Sequence, residues 1–229
     1  MNKPEPRYAV VIPALNAERW IGAVVQSVRR VAPPHTVIYV VDDGSSDATG
    51  VKAVDAGAVL LTHNRNRGKG TALQSGYTAA FEQSIEWAIS MDADGQHLAE
   101  DLPDFVQAMQ TSRWDLLLGN RMTSRGDMPW PRVLSNTLTS WLVSLRLAQP
   151  VHDAQCGFRG MRRDVFEAIS VRQTGFMAES EWLLRSGIAG ARIGHVSVQS
   201  VYGTSRSHIT PIRDTLRFIG LYCRCWFWI

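Results

Sequence analysis

Asp92 and Asp94, one residue apart at the end of an apolar run over 87–91, are the side chains best placed to do chemistry in this 229-residue sequence. Two carboxylates so close at the end of a buried strand cannot both be desolvated cheaply, so they need hydrogen bonds or a cation. Their hard oxygens suit Mg²⁺ or Mn²⁺, an ion that keeps waters and takes further ligands from bound phosphates. The plainer alternative is a turn, or a cap for a helix beginning near Asp101. With 13 aspartates in the chain, chance supplies roughly 0.7 such pairs, so position has to carry the assignment.

The other polar clusters are less specific. Asp42-Asp43-Gly44-Ser45-Ser46-Asp47 is also ordinary turn chemistry, with Asp47 placed to cap a helix over 48–56. Asn66-Arg67-Gly68-Lys69-Gly70 is not a P-loop, because His63 stands where that pattern needs glycine and Gly70 follows Lys69 in place of Ser or Thr. Gly68 and Gly70 still allow close backbone approach ahead of a helix N-terminus, where an anion or a nucleotide edge would fit. His35, His63, His152 and His195 read as surface or core histidines, and His97 stands out beside the acidic pair.

Short β-branched runs alternating with helical patterns would bring these groups together, through a parallel sheet flanked by helices. Strands are expected at 8–12, 36–41, 58–61, 87–91 and 115–118, and helices over 17–30, 71–83 and 102–110. The unbroken Val-Ile-Tyr-Val-Val of the second strand is what burial on both faces requires. Right-handed crossovers place the carboxyl ends of parallel strands on one edge, where ligands of open α/β folds bind. Pro13 and Asn16, Asp42 and Asp43, Asp92 and Asp94, and Asn120 and Arg121 would gather there. Beyond Arg121 the rhythm changes to helices over 133–147, 164–169 and 178–186 and a strand over 192–198. The expected organisation is two halves of one α/β domain, 1–120 and 121–210, followed by an amphipathic helix over 211–229.

Composition narrows the function classes. Hydrophobic residues make up 45% of the chain and charged ones 20%, which excludes a disordered tail protein. Arginines outnumber lysines 21 to 3, yet the net charge is only +3, too small for bulk coating of nucleic acid. Arginine forks suit phosphate, and genome composition would produce the same ratio. Cys156, Cys223 and Cys225, after a polar and Pro-rich N-terminus, predict a reducing cytosolic setting. The longest uncharged stretch, 133–145, is too short to span a bilayer. In the last helix Arg213, Arg217 and Arg224 fall within about 40° of arc beside Trp226 and Trp228. That pattern suits peripheral contact with the inner face of a cytoplasmic membrane, and docking on the chain's own core or a second subunit would use it equally.

In order and spacing, Val11-Ile12-Pro13-Ala14-Leu15-Asn16, Val41-Asp42-Asp43-Gly44-Ser45-Ser46-Asp47, Asn66-Arg67-Gly68-Lys69-Gly70, Met91-Asp92-Ala93-Asp94-Gly95-Gln96-His97, Gly119-Asn120-Arg121 and Asp153-Ala154-Gln155-Cys156-Gly157-Phe158-Arg159 resemble family 2 glycosyltransferases. The branch most similar is that of dolichyl-phosphate mannose synthase and the polyprenyl-phosphate glycosyltransferases. This resemblance implies a GT-A fold, with a Rossmann-like, mostly parallel sheet and an acceptor-side C-terminal part. It also implies inverting, metal-dependent transfer of a sugar from a nucleoside diphosphate to a lipid-linked acceptor, either a polyprenyl phosphate or a lipid hydroxyl.

Carried over by position, the resemblance gives nucleotide-sugar binding to Pro13, Asn16, Asp42, Asp43, Gly68, Lys69 and Asp92, with Asp42 or Asp43 on the base or ribose. Asp92, Asp94 and Gln96 would hold the divalent cation. Arg121, Arg132 and Arg206 would face the acceptor phosphate, and Asp153, Arg121 and Asp94 would form the catalytic set. Asp153 is the candidate base for a hydroxyl acceptor, whereas a lipid phosphate, already an oxyanion, needs arginines more than a base. Glu179 and Glu181 are runners-up that read more readily as first-turn helix residues. His208 follows Ser207 where the branch commonly has lysine, which keeps the hydroxyl acceptor open. Two rivals remain. A non-catalytic nucleotide-sugar binder would not need Asp153 and Arg121, and a nucleotidyltransferase would carry a Gly- and Arg-rich loop after strand one. Oligomeric state is left open.

Overall fold

The computed structural model describes residues 7–111, 113–123, 128–200 and 211–228, the side chains of the last segment from 216 onward. Among the described residues seven strands form one sheet: β1 (Tyr8–Ala14), β2 (Val37–Asp42), β3 (Val59–Thr62), β4 (Trp87–Ser90), β5 (Leu116–Asn120), β6 (Arg159–Arg162) and β7 (Ile193–Ser197). Their order is β3-β2-β1-β4-β6-β5-β7. The nearly continuous apolar runs of β1 and β2 are buried because helices cover both faces.

Alternation along the strands divides the core. Ala9 and Val11 pack into one layer with α3 (Lys69–Glu82), α5 (Trp130–Leu147), α6 (Arg163–Ala168), α7 (Met177–Ile188) and α8 (Pro211–Cys225). Val10 and Ile12 pack into the other, against α1 (Ile21–Val31), α2 (Thr49–Asp55) and α4 (Leu102–Gln110). The α1 stripe of Ile21, Val24, Val25 and Val28 is the face its spacing predicts.

One strand was not expected. β6, Arg-Gly-Met-Arg, has no β-branched residue, and it runs antiparallel between β4 and β5. Its pairing places Arg159 between Ser90 and Leu118, and Gly160 leaves the space into which the Met109 methyl group packs, since a Cβ there would lie 2.4 Å from that carbon. Since β6 opposes both neighbours, β5 stays parallel to β4, and β7 pairs parallel with β5. The carboxyl ends of β1, β2, β4, β5 and β7 therefore share one edge.

Helix limits also shift. α5 starts at Trp130 rather than 133, because Pro131 stands in the first turn, where its missing N–H costs nothing. α8 ends at Cys225, and it divides the two expected uses of its apolar residues. Phe218, Leu221 and Cys225 dock on the core, while Leu216 and Ile219, with Trp226 and Phe227 just beyond the helix, stay exposed.

Candidate active site

The loops after β1, β2 and β3 are tied to one another by their own polar side chains. Asn16, in the left-handed region at φ 50°, accepts the Ser46 N–H at 2.9 Å, and its own N–H donates to Ser45 Oγ at 2.9 Å. Asp42 Oδ1 accepts the Ser45 N–H, and Asp43 accepts the Arg67 and Gly68 N–H groups at 3.0 and 2.7 Å. His63 lies between Asp43 Oδ1, at 2.6 Å, and Ser75 Oγ, at 3.0 Å, as a core histidine. Asp47 caps the start of α2 as expected, its Oδ1 accepting the Thr49 N–H at 3.0 Å, and its Oδ2 accepts the Glu18 N–H, joining this loop to the one after β1.

The glycines of the Gly68-Lys69-Gly70 turn serve a different purpose from the one expected. A Cβ on Gly68, at φ 95°, would stand 2.5 Å from the Thr174 carbonyl oxygen, and one on Gly70 would stand 2.3 Å from the Ala178 Cβ. The close approach is to the chain's own segment before α7. Gly68 N–H is already spent on Asp43 and Asn66.

That packing aims Lys69 at the acidic pair. Its Nζ lies 2.6 Å from Asp92 Oδ1 and 2.9 Å from Glu179 Oε2. Burial works against both charges, but the pair overrides it: the Asp92 carboxyl is held well below the usual carboxylate range, and the Lys69 ammonium well above its own. Gly157 opens the space beside Asp92, since a Cβ there would lie 2.8 Å from Asp92 Oδ2. Asp94 Oδ1 accepts the Gln96 N–H at 3.0 Å. His97 is buried under this loop, its Nδ1 accepting the Asp92 N–H at 3.3 Å, and burial lowers its pKa. It shapes the loop rather than reaching into the cleft. Among the described residues no three His, Cys, Asp or Glu side chains converge on a metal position.

A second polar pair is formed by Arg121 and Asp153. Asp153 has no exposed surface. Its Oδ2 accepts Arg121 N–H and Nε at 3.1 and 2.7 Å, and its Oδ1 accepts Arg121 Nη2 and Asn136 Nδ2, both at 2.8 Å. Four donors saturate the carboxylate, and despite burial Arg121 holds its pKa below the usual range. In this arrangement both Asp153 oxygens face Arg121 and Asn136, which suits a residue that positions Arg121. Glu181 is closed in the same way by the Arg172 and Gln173 N–H groups and by Arg185. Arg132 lies one turn before Asn136 on the same face of α5, which places it on the Asp153 side of that helix. Arg206, with Ser207 and His208, lies outside the described residues.

Residues 9–170 match the model described as Glycosyl transferase family 2. The chain belongs to this family. It is 29% identical over 230 residues to the polyprenol monophosphomannose synthase of Mycolicibacterium smegmatis, covering 93% of this chain and 86% of that protein. It is 30% identical over 208 residues to the undecaprenyl-phosphate mannosyltransferase of Micrococcus luteus, covering 85% and 84%. Among solved structures it superposes on glucosyl-3-phosphoglycerate synthase of Mycobacterium tuberculosis, bound to Mn²⁺, UDP and phosphoglyceric acid, with a TM-score of 0.74 at 20% identity, covering 96% and 79%. The fold is GT-A, and the chain is a glycosyltransferase.

One residue of this glycosyltransferase site escaped the sequence reading. Arg159 is 4% exposed and spends its guanidinium on backbone carbonyls: Nε on Cys156, Nη2 on Ala154, both at 2.7 Å, and Nη1 on Glu179. It clamps the 153–157 loop to the start of α7, and thus sets both Asp153 and Glu179. The available signal was Arg159 itself, a cation closing an otherwise apolar Cys-Gly-Phe run.

Proposed function

We propose that this glycosyltransferase transfers a sugar from a nucleoside diphosphate, with inversion at the anomeric carbon, to the phosphate of a lipid-linked acceptor. The closed Asp153 carboxylate beside Arg121 carries the choice of acceptor. A hydroxyl must lose a proton as it attacks, whereas a lipid phosphate arrives as an oxyanion and needs only to be positioned. Arg121, held by a bidentate pair, has the planar fork that orients a phosphate, and Arg132 adds a second positive charge. The names of the mycobacterial and Micrococcus relatives support a polyprenyl phosphate.

On the donor side, Asp92, Asp94 and Gln96 offer only hard oxygens, and Gly157 leaves room beside Asp92 that a Cβ would fill. That donor set fits Mg²⁺ or Mn²⁺ with the remaining positions left to diphosphate oxygens and water. When bound, the ion would neutralise charge on the leaving diphosphate. The chain's own residues orient the reactants: the interlocked loops bearing Pro13, Asn16, Asp42 and Asp43 take the nucleoside, and Arg121 and Arg132 present the acceptor oxygen from the opposite side, as inversion requires.

The same reading calls for peripheral contact with a membrane. Among the described residues no helix is long and apolar enough to cross one. On α5, however, Trp130, Leu134, Leu138, Trp141 and Leu145 are each 45% to 75% exposed. They fall within about 80° of arc along about 22 Å of helix, opposite buried Asn136, Ser140 and Val143. This stripe adjoins the exposed end of α8, where Arg146 stacks on Trp226 at 4.9 Å and donates to the Cys225 carbonyl. α5 and α8 together hold five arginines against the single Asp214, more positive charge than the whole chain's net +3. That excess favours an anionic bilayer over a second copy of the same face. The expected contact through 211–229 thus extends to α5.

The test is transfer from UDP-, GDP- and dTDP-sugars, with Mn²⁺, to a polyprenyl phosphate and to the corresponding polyprenol. Transfer to the phosphate alone, with an inverted anomeric centre by NMR, is expected; transfer to the alcohol alone overturns the acceptor assignment.

A further inference from the structure

Lys69 stands where a divalent ion on Asp92 would have to go. Its ammonium is 2.6 Å from Asp92 Oδ1, a contact that leaves no room for a metal on that oxygen. It is held between two carboxylates, with only 16% of the side chain exposed, and the Phe176 ring lies 5.8 Å away. The backbone cannot withdraw it, because Gly68 and Gly70 pack directly on Thr174 and Ala178.

The second carboxylate gives the ammonium somewhere to go. Glu179 Oε2 already accepts from Lys69 at 2.9 Å, and Glu179 Oε1 is buried with no hydrogen-bond partner among the described residues. A buried acceptor left open in the resting arrangement requires an explanation. A small rotation of the Lys69 stem, away from Asp92 and fully onto Glu179, would satisfy that oxygen and free Asp92 Oδ1 in one movement. Glu179 is itself fixed for this task, since its backbone carbonyl is held by buried Arg159.

We propose that Lys69 is a tethered placeholder cation: it neutralises Asp92 while the donor site is empty, and it transfers to Glu179 when a divalent cation arrives with a nucleoside diphosphate. This rests on the donor-site reading above and adds an order to it. A metal ion alone must displace an ammonium and then sit beside it, two like charges in a partly buried site. The diphosphate brings the negative charge that offsets both. Metal and nucleotide therefore bind as coupled ligands, and each strengthens the other by the same factor. The placeholder keeps the acidic pair from capturing free cations without donor.

The experiment is a Mn²⁺ titration followed by electron paramagnetic resonance, on the full chain, with Mn²⁺ alone and with Mn²⁺ plus UDP or GDP. Wild type should bind Mn²⁺ alone weakly and gain at least about tenfold with the matching nucleotide. Lys69→Met should bind Mn²⁺ alone at least about tenfold more tightly than wild type, and its gain with nucleotide should shrink by a similar factor. Lys69→Arg, which keeps the charge, should behave as wild type. Glu179→Gln, which removes the alternative partner, should weaken Mn²⁺ binding both with and without nucleotide. Lys69→Gln repeats the test should the methionine variant fail to fold. If folded Lys69→Met or Lys69→Gln binds Mn²⁺ alone no more tightly than wild type, while nucleotide still promotes binding, the placeholder role is overturned and the donor site stands. If no variant binds Mn²⁺ with either nucleotide, the donor-site reading falls with it.

Discussion

The Arg121–Asp153 pair allows positioning to be separated from base catalysis by a double-mutant cycle. Arg121→Met leaves a carboxylate with no exposed surface and two of its four donors, the Arg121 backbone N–H and Asn136 Nδ2. Breaking a buried pair by removing one partner costs about 3–5 kcal/mol, and the two surviving donors place this variant near 3. Asp153→Leu instead takes the carboxylate away from a guanidinium whose side chain is only 14% exposed, at similar cost. The double variant removes both charges and leaves mainly Asn136 and one N–H without an acceptor, about 1–2 kcal/mol. The single costs should therefore exceed the double by a coupling energy of at least about 2 kcal/mol in urea unfolding at pH 7. In a chain of this size each single should also lower Tm by roughly 6–12 °C. Additivity within about 0.5 kcal/mol would refute the pair as a structural unit. The kinetic counterpart uses Asp153→Asn: a positioning residue raises the acceptor KM through a misplaced Arg121, whereas loss of a base lowers kcat and leaves KM. A pure kcat loss would return Asp153 to the role of base.

Gly157→Ala should push the Asp92 carboxylate out of place, since its Cβ would meet both carboxylate oxygens, at 2.8 and 3.1 Å; calorimetry should show at least about a tenfold loss of nucleotide-dependent Mn²⁺ affinity, and an unchanged constant would contradict the placement. Leu138→Glu/Trp141→Glu on α5 should abolish sedimentation with phosphatidylglycerol vesicles while leaving the circular dichroism spectrum and UDP affinity unchanged; equal vesicle recovery would discard the α5 face. His195, whose pKa is pushed down to about 4 by burial and then by His152, is neutral in the folded chain and takes a proton near its ordinary pKa of about 6.5 once unfolded. The unfolded state then binds more protons between those values, so Tm should fall as pH drops from about 6.5 towards 4, and His195→Gln should flatten that limb; identical limbs would exclude His195 as the cause.

Parallel strands buried on both faces announce themselves through composition, and so β1, β2 and β4 and the edge their ends define were legible without coordinates. β6 was not, because nothing in Arg-Gly-Met-Arg reports that Ser90 and Leu118 wait on either side with unfilled ladder positions. Tertiary pairing overrides a weak local preference there. In the site, the residue types were legible and their partners were not. Asp153 and Arg121 are 32 residues apart, and Lys69 and Glu179 come from helices more than 100 residues apart, so no periodicity could show that one carboxylate is closed and the other half open. The α5 stripe was present in the spacing of its Trp and Leu residues. Only burial showed that this face looks outward, since a helix with one apolar face ordinarily turns that face to the core.

The short segment from Asp153 to Arg159 explains why the unexpected strand matters for the chemistry. Asp153 fixes Arg121 on the proposed acceptor side, and four residues later Gly157 makes room for Asp92 on the proposed donor side. Ser90 Oγ, at the end of β4, donates to the Gly157 carbonyl at 2.8 Å, and Arg159 begins β6 while clamping Ala154, Cys156 and Glu179. The loop is therefore tied to the ends of β4 and β5, and it links Arg121 to the space beside Asp92. An insertion by helix propensity or a flexible loop would not couple them. An antiparallel strand wedged between β4 and β5 does, because its register fixes the loop against the two strand ends that carry Asp92 and Arg121. Under the proposed inverting transfer, attack must come in line with the leaving diphosphate, and a rigid spacing between the two sites is the geometric condition such a reaction imposes.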